Sequence, residues 1–276
     1  MGGDTMLGEE GSCQQDLAIK GVARVPVLLE SASMIEIPLW RLGLSLIPIL
    51  LVGWISFRWG GGAGSLSVAT GRMVLQLFAI GYVLSFLFGI QSPWVTLGVV
   101  SFMILISAWI SIRTVRERRW ASYRDALLAI GVGGGLIYLL VIFGVIAVEP
   151  WYEPKYAISL SGMVFANAMT AVTLSAERFD AERMSGKSAV HARNTAWNAA
   201  LIPQINTFLA VGLVALPGIM TGQVIAGANP MEAVRYQIMV MSMVMGSAGF
   251  AVAIFLSQRV RSLAISGEEA ERQRRR

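Results

Sequence analysis

The stretch ALLAIGVGGGLIYLLVIFGVIAV, Ala126 to Val148, runs for 23 residues without a charge and is closed off by Arg124 and Asp125 before it and Glu149 after it. About 20 apolar residues in a row carry a helix across the hydrocarbon layer of a bilayer. Backbone amides and carbonyls left unpaired in lipid cost several kcal/mol each, so such a run must close its hydrogen bonds within itself, as a helix. Six more runs of this kind surround it: Pro38 to Phe57, Ala69 to Ile90, Trp94 to Ile112, Tyr156 to Ala176, Ala199 to Ile225 and Val234 to Ser257. The pattern predicts an all-α integral membrane protein, a bundle of seven transmembrane helices.

Composition agrees. Of the 276 residues, 55% are apolar and 14% charged, whereas soluble domains carry about a quarter charged residues. The one cysteine, Cys13, and the one histidine, His191, exclude an internal disulfide and a zinc cluster. The net charge of +5 is spread between apolar runs and does not form an aromatic-laced patch, which argues against nucleic acid as a partner.

The cations instead report topology. Of 22 Lys and Arg, 17 fall on the side shared by the first, third and fifth loops and the C-terminus, leaving Lys20, Arg24, Arg41, Lys155 and Arg235 for the other. Positive charge marks the cytoplasmic face, so the expected arrangement has the N-terminus outside and the C-terminus in the cytoplasm. Three segments follow: a disordered acidic extracytoplasmic tail over 1–37, a seven-span membrane domain over 38–258, and a basic cytoplasmic tail over 259–276. The tail lacks a basic start and a long apolar core, so it does not read as a secretory signal. A translation start at Met34 is a further expectation.

Several motifs have ordinary explanations. AERMSGKS, Ala181 to Ser188, ends like a phosphate-binding loop but has Ala181 where the first glycine belongs, and it follows a membrane helix where a strand is required. Gly131, Gly133, Gly134 and Gly135 sit inside a span, where small residues let helices approach closely. Gly60, Gly61, Gly62 and Gly64 predict a flexible first loop. No nucleophile, base and acid can be assembled at one membrane depth, and His191 has no evident acidic partner in the sequence, so enzymatic chemistry is not expected.

Polar residues inside spans are costly. Arg72, Gln76, Asn167, Gln204, Asn206 and Gln237 are among those present. Arg72 can snorkel to the cytoplasmic boundary. Asn167, Gln204 and Asn206 lie deeper and suit either a polar path or hydrogen bonding between helices. The LPG sequence at Leu216, Pro217 and Gly218 predicts a kink or break, since proline lacks an amide hydrogen and glycine loosens the helix. Broken helices line polar cavities in transporters. Methionines crowd the later spans, Met220, Met239, Met241, Met243 and Met245 among them. Thioethers serve as gap-fillers and as soft ligands.

The run AALIPQINTFLAVGLVALPGIMTGQVIAGANPMEAVRYQIMV, Ala199 to Val240, resembles the signature region of the FetB/YbbM-type permeases, membrane subunits of a bacterial ABC system assigned to iron export. GRMVLQLFAIGYVL, Gly71 to Leu84, and SGMVFANAMTAVTL, Ser161 to Leu174, resemble the same family, and the likeness extends roughly from Leu39 to Val260. The resemblance implies a permease of the bacterial inner membrane, working as a homodimer with a separate cytoplasmic ATPase. That ATPase would use the ATP, and this chain would bind no cofactor of its own. The stretch between Asn167 and Ala199 is shorter than the family pattern by about four helical turns, and Asn198 and Asn206 replace a basic and an acidic residue of that pattern.

With the resemblance, the expected substrate path is Asn167, Gln204, Asn206 and Met220, the expected hinge Pro217 and Gly218, and the expected ATPase-facing loop Arg183, Lys187, His191 and Arg193. No metal-ligand set can be read. An ATPase-independent channel or scaffold of the same fold is the alternative, and a proton-driven transporter would have to work without intramembrane carboxylates.

Overall fold

The structure, a computed structural model, describes residues 38–113, 115 and 119–274. The expected acidic tail, Cys13 and Met34 lie outside them. The chain divides into two compact units, Met1–Leu44 and Ser45–Arg276. In the first, α1 (Leu39–Leu44) places the Arg41 guanidinium 4.9 Å from the centroid of the Trp40 ring. The remaining helices belong to the second unit.

These are α2 (Ile47–Arg58), α3 (Ala63–Leu87), α4 (Pro93–Ser111), α5 (Arg119–Leu128), the π-helical turns π1 (Ala129–Gly134) and π2 (Leu140–Ile146) flanking α6 (Gly135–Leu139), α7 (Pro154–Met184), α8 (Ala189–Ala210), α9 (Gly218–Ile225) and α10 (Pro230–Arg274). No strand is present among the described residues. Among the described residues six helical stretches are long and apolar enough to cross a membrane: Trp40–Arg58, Gly64–Leu87, Pro93–Ser111, Trp120–Ile146, Pro154–Met184 and Pro230–Ile265.

The expected span from Ala199 to Ile225 is not one helix. It starts earlier, at Ala189, stops at Ala210 and resumes at Gly218. The cause is local. Val211 turns to extended backbone, Gly212 takes a φ of +80°, and Pro217, itself extended, caps α9. The Ala210 carbonyl accepts from both the Val214 and Ala215 amides, at 2.8 and 3.1 Å, which winds the intervening residues into a compact turn.

The segment between the expected spans Tyr156–Ala176 and Ala199–Ile225 is likewise mostly helix. In α7 the Arg178–Glu182 pair, 2.6 Å apart and four residues apart in sequence, continues the helix past the apolar run. Only residues 185–188 turn. Gly186, with φ +78°, closes α7 in a Schellman motif, its amide bonding to Arg183 O and that of Lys187 to Glu182 O. The Ser188 hydroxyl then accepts the His191 amide at 3.2 Å and caps α8. The GKS sequence is therefore a helix stop followed by a helix start. The first loop shows the same device: Gly60, with φ +70°, ends α2, its amide bonding to Phe57 O and that of Gly61 to Ser56 O.

The core lies around α7, which packs against α4, α8 and α10, with π1 also against α10. Its interior is built from small side chains. Ala192, Ala196 and Ala200 recur every four residues along α8, and Ala168, Ala171, Ser175 and Ala176 line α7, all buried. Without water in the bilayer to drive association, close van der Waals packing of small residues holds such helices together. A Cβ at Gly133 would lie 2.7 Å from the Ala251 amide nitrogen, and one at Gly134 would lie 3.2 Å from Phe165. The glycine-rich run in this span is therefore a packing surface at Gly133 and Gly134, while Gly135 has open space around it. By contrast α2 and α3 pair with each other and bury no part of their apolar stretches.

Candidate functional site

The break between α8 and α9 opens onto a cavity of about 320 Å³. Phe208 comes from α8, Gly212 and Pro217 from the turn, Met220 from α9, and Gln237 and Met241 from α10. On α10 the spacing of four residues between Gln237 and Met241 puts both on one face. Gln237 is 6% exposed and its Oε1 has no hydrogen-bond partner among the described residues. A buried carboxamide oxygen left unpaired costs about 1–3 kcal/mol, and such an atom marks a place where a ligand or water belongs. The other polar side chain on the walls is Ser242, whose hydroxyl donates to Ile238 O at 3.0 Å, and none of the lining residues is ionised.

Of the expected path residues, only Met220 lines this cavity, together with Pro217 of the expected hinge. Gly218 is the first residue of α9. Thr221 reaches back to Pro217 twice, its amide at 3.0 Å and its hydroxyl at 3.1 Å from the proline carbonyl. Asn167 donates from Nδ2 to Met163 O on its own helix at 2.8 Å. Gln204 is buried on α8, one residue past Pro203, and Asn206 is exposed on the same helix. The structure does not bring these three to Met220. Sequence reasoning did mark Gln237 as a costly intramembrane residue and Met241 as one of a methionine cluster. Their shared face on α10 opposite Pro217 was the signal that would have joined them.

The cationic residues expected to face an ATPase lie at the hairpin joining α7 and α8. An Arg183 Nη1 hydrogen donates to the Lys187 carbonyl across the turn. His191 is not without an acid, as its sequence suggested: Nε2 lies 3.9 Å from Oε2 of Glu182. Arg193, one turn into α8, donates from Nε and Nη2 to Asn194 Oδ1 at 3.1 and 3.0 Å and shares a smaller cavity with Trp197 and with Ala253, Leu256 and Ser257 in the middle of α10. Close by in sequence, Asp180 on α7 accepts from Arg259 on α10 at 2.7 Å, and Arg259 also donates to the buried Ser122 hydroxyl of α5 at 3.2 Å. One guanidinium thus ties three helices, and its carbon lies 5.8 Å from the Phe179 ring centroid. No group of three or more His, Cys, Asp or Glu side chains poised to hold a metal ion exists among the described residues.

These features define a polytopic α-helical membrane protein with a helix break facing an internal cavity. The chain belongs to UPF0014, an uncharacterised protein family whose pattern it matches over residues 39–263. It is 31% identical to the UPF0014 membrane protein slr1647 of Synechocystis over 75% of this chain and 84% of that one. It is 32% identical to the probable iron export permease protein FetB of Escherichia coli, over 69% of this chain and 79% of the relative. A plant relative, Protein ALUMINUM SENSITIVE 3 of Arabidopsis thaliana, is 30% identical over 67% of this chain and 72% of its own length. No solved structure matches the chain.

Proposed function

We propose that this protein is the permease subunit of an ABC-type exporter that moves metal ions, iron foremost, out of the cytoplasm across the bacterial inner membrane. The observation that carries the reading is the cavity at the α8–α9 break, where Gln237 holds an unpaired amide oxygen beside Met220 and Pro217. The likeness to the FetB permease supplies the substrate. In this reading the N-terminus is outside and the C-terminus inside, two copies assemble, and a separate cytoplasmic ATPase supplies the energy.

Each part has a physical task. Pro217 cannot donate the hydrogen bond that would continue a helix, so the turn before it is a place where α9 can change its angle to α8 at low cost. Such a change opens or closes the cavity. At the other end of α8, the short hairpin carrying Arg183, Lys187 and His191 offers positive charge to a partner. A movement imposed there travels along α8 as a rigid body to the break. The Arg259–Asp180 pair, joining α7 to α10, keeps the helices around α8 in register during that stroke. Asn167, Gln204 and Asn206 remain candidate path residues in a state with a wider opening.

The test is co-reconstitution of the full chain with its candidate ATPase in liposomes loaded with ferrous iron. ATP-dependent loss of iron that requires both proteins is the expected result. Iron release at the same rate without the ATPase would place the chain among passive channels, and failure of the tagged permease to retain the ATPase through detergent purification would count against the coupled machine.

A further inference from the structure

We infer that a second cavity, between α3 and α4, binds the phosphate group of an anionic phospholipid through Arg72 and Arg113. At about 520 Å³ it is larger than the cavity at the helix break and separate from it. Ser65, Arg72 and Gln76 line it from α3, and Trp109, Ile110 and Arg113 from the end of α4. Arg72 lies well inside the apolar stretch Gly64–Leu87. Neither guanidinium forms an ion pair or a hydrogen bond among the described residues, whose three salt bridges all lie elsewhere.

A cation within a membrane span pairs with something. Snorkelling explains one arginine at a helix end, but it does not explain two that converge on the same cavity. Two like charges there repel each other, and the repulsion is stronger for being beside lipid and not bulk water. No carboxylate lines the cavity among the described residues, and an external anion would supply the counter-charge. A phosphodiester fits. Its two free oxygens match the planar fork of guanidinium groups, and Gln76 offers a further amide donor. The Ser65 hydroxyl already donates to the Gly62 carbonyl at 2.6 Å, so it does not compete for the role. Acyl chains would lie along the exposed apolar side chains of α2 and α3, which nothing else in the second unit covers. Trp109 stands edge-on to Tyr123 with ring centroids 6.0 Å apart, an aromatic pair of the kind that sits at headgroup level. Basic clefts between helices at the cytoplasmic face are where acidic lipid headgroups bind.

The experiment measures lipid retained by the purified full chain in native mass spectrometry, after exchange into detergent containing equal phosphatidylglycerol and phosphatidylcholine. Thermal unfolding with each lipid and with inorganic phosphate runs alongside. The expected result is preferential retention of phosphatidylglycerol and a fall of about tenfold in that retention for Arg72→Gln and for Arg113→Gln. Arg72→Lys retains most of the binding, which separates loss of the site from loss of the fold. Arg261→Gln, outside the cavity, leaves retention unchanged. Stabilisation by phosphatidylglycerol alone assigns a lipid headgroup, and stabilisation by phosphate as well assigns the same site to the bare anion. Equal retention of both lipids, or equal losses in the Arg261 and Arg72 variants, overturns the inference.

Discussion

Gly133 and Ala251 bring two backbones together so closely that a methyl group on Gly133 would stand 2.7 Å from the Ala251 amide nitrogen and 2.9 Å from its Cα. Because the obstructing atoms are backbone, the collision cannot be relieved by a side-chain rotation. Gly133→Ala must push π1 away from α10, and overpacking of this kind costs about 1–3 kcal/mol. Thermal unfolding in detergent should show a lowered midpoint for it. Gly135→Ala, where nothing lies within 4 Å, should hold the midpoint or raise it, since alanine is the better helix former. Equal effects at the two positions would contradict the packing.

The Arg259–Asp180 contact makes a second prediction. The side chains are 18% and 31% exposed, so water screens the pair only in part. Arg259→Gln removes the ion pair and the bond to Ser122, leaving Asp180 without its cation, and should lower stability by about 2–3 kcal/mol. Arg259→Lys keeps a charge beside Asp180 but loses the two-armed geometry, and should fall between the variant and the parent. Asp180→Asn in the Arg259→Gln background should cost little more, which a double-mutant cycle would read as coupling.

At Pro217 the expectation concerns motion more than stability. Alanine there restores an amide hydrogen and frees φ, so α9 gains an inducement to extend backward toward Gly212. Pro217→Ala should reduce coupled iron efflux about tenfold, equivalent to about 1.4 kcal/mol on the limiting barrier, with an unfolding midpoint equal to or above the parent's. Full efflux activity in that variant would remove the hinge from the account.

How much of this could be read beforehand depended on whether the cause was local. The break at 211–217 was legible because proline and glycine act on their own backbone, and the close approach of the glycine-rich span was legible because small residues inside an apolar run have few other uses. The hairpin at 185–188 was misread as a long loop. Its charges look like solvated loop residues until the Arg178–Glu182 pair and the Ser188 cap are seen to continue the helices on both sides. Arg259 and Asp180 are separated by 79 residues, and no periodicity announces such a pair. Gln237 was recognisable as an expensive residue, yet its role waited on the knowledge that α10 lays it opposite Pro217. Asn167 shows the reverse case: a polar side chain deep in a span that satisfies itself on its own helix.

The central claim is that the cavity at the helix break handles the transported ion through an amide kept unpaired for that purpose. Gln237→Leu removes the unpaired oxygen at similar size. It should therefore stabilise the fold, by about 1 kcal/mol, while depressing transport, the trade expected where function holds a costly group in place. The most direct measurement is the rate of ATP-driven iron efflux from liposomes holding the permease and its ATPase, for the parent chain and for Gln237→Leu, each with its unfolding midpoint. The account predicts a variant that is more stable and at least about tenfold slower. A variant that exports iron at the parent's rate would show that the ion does not pass this amide.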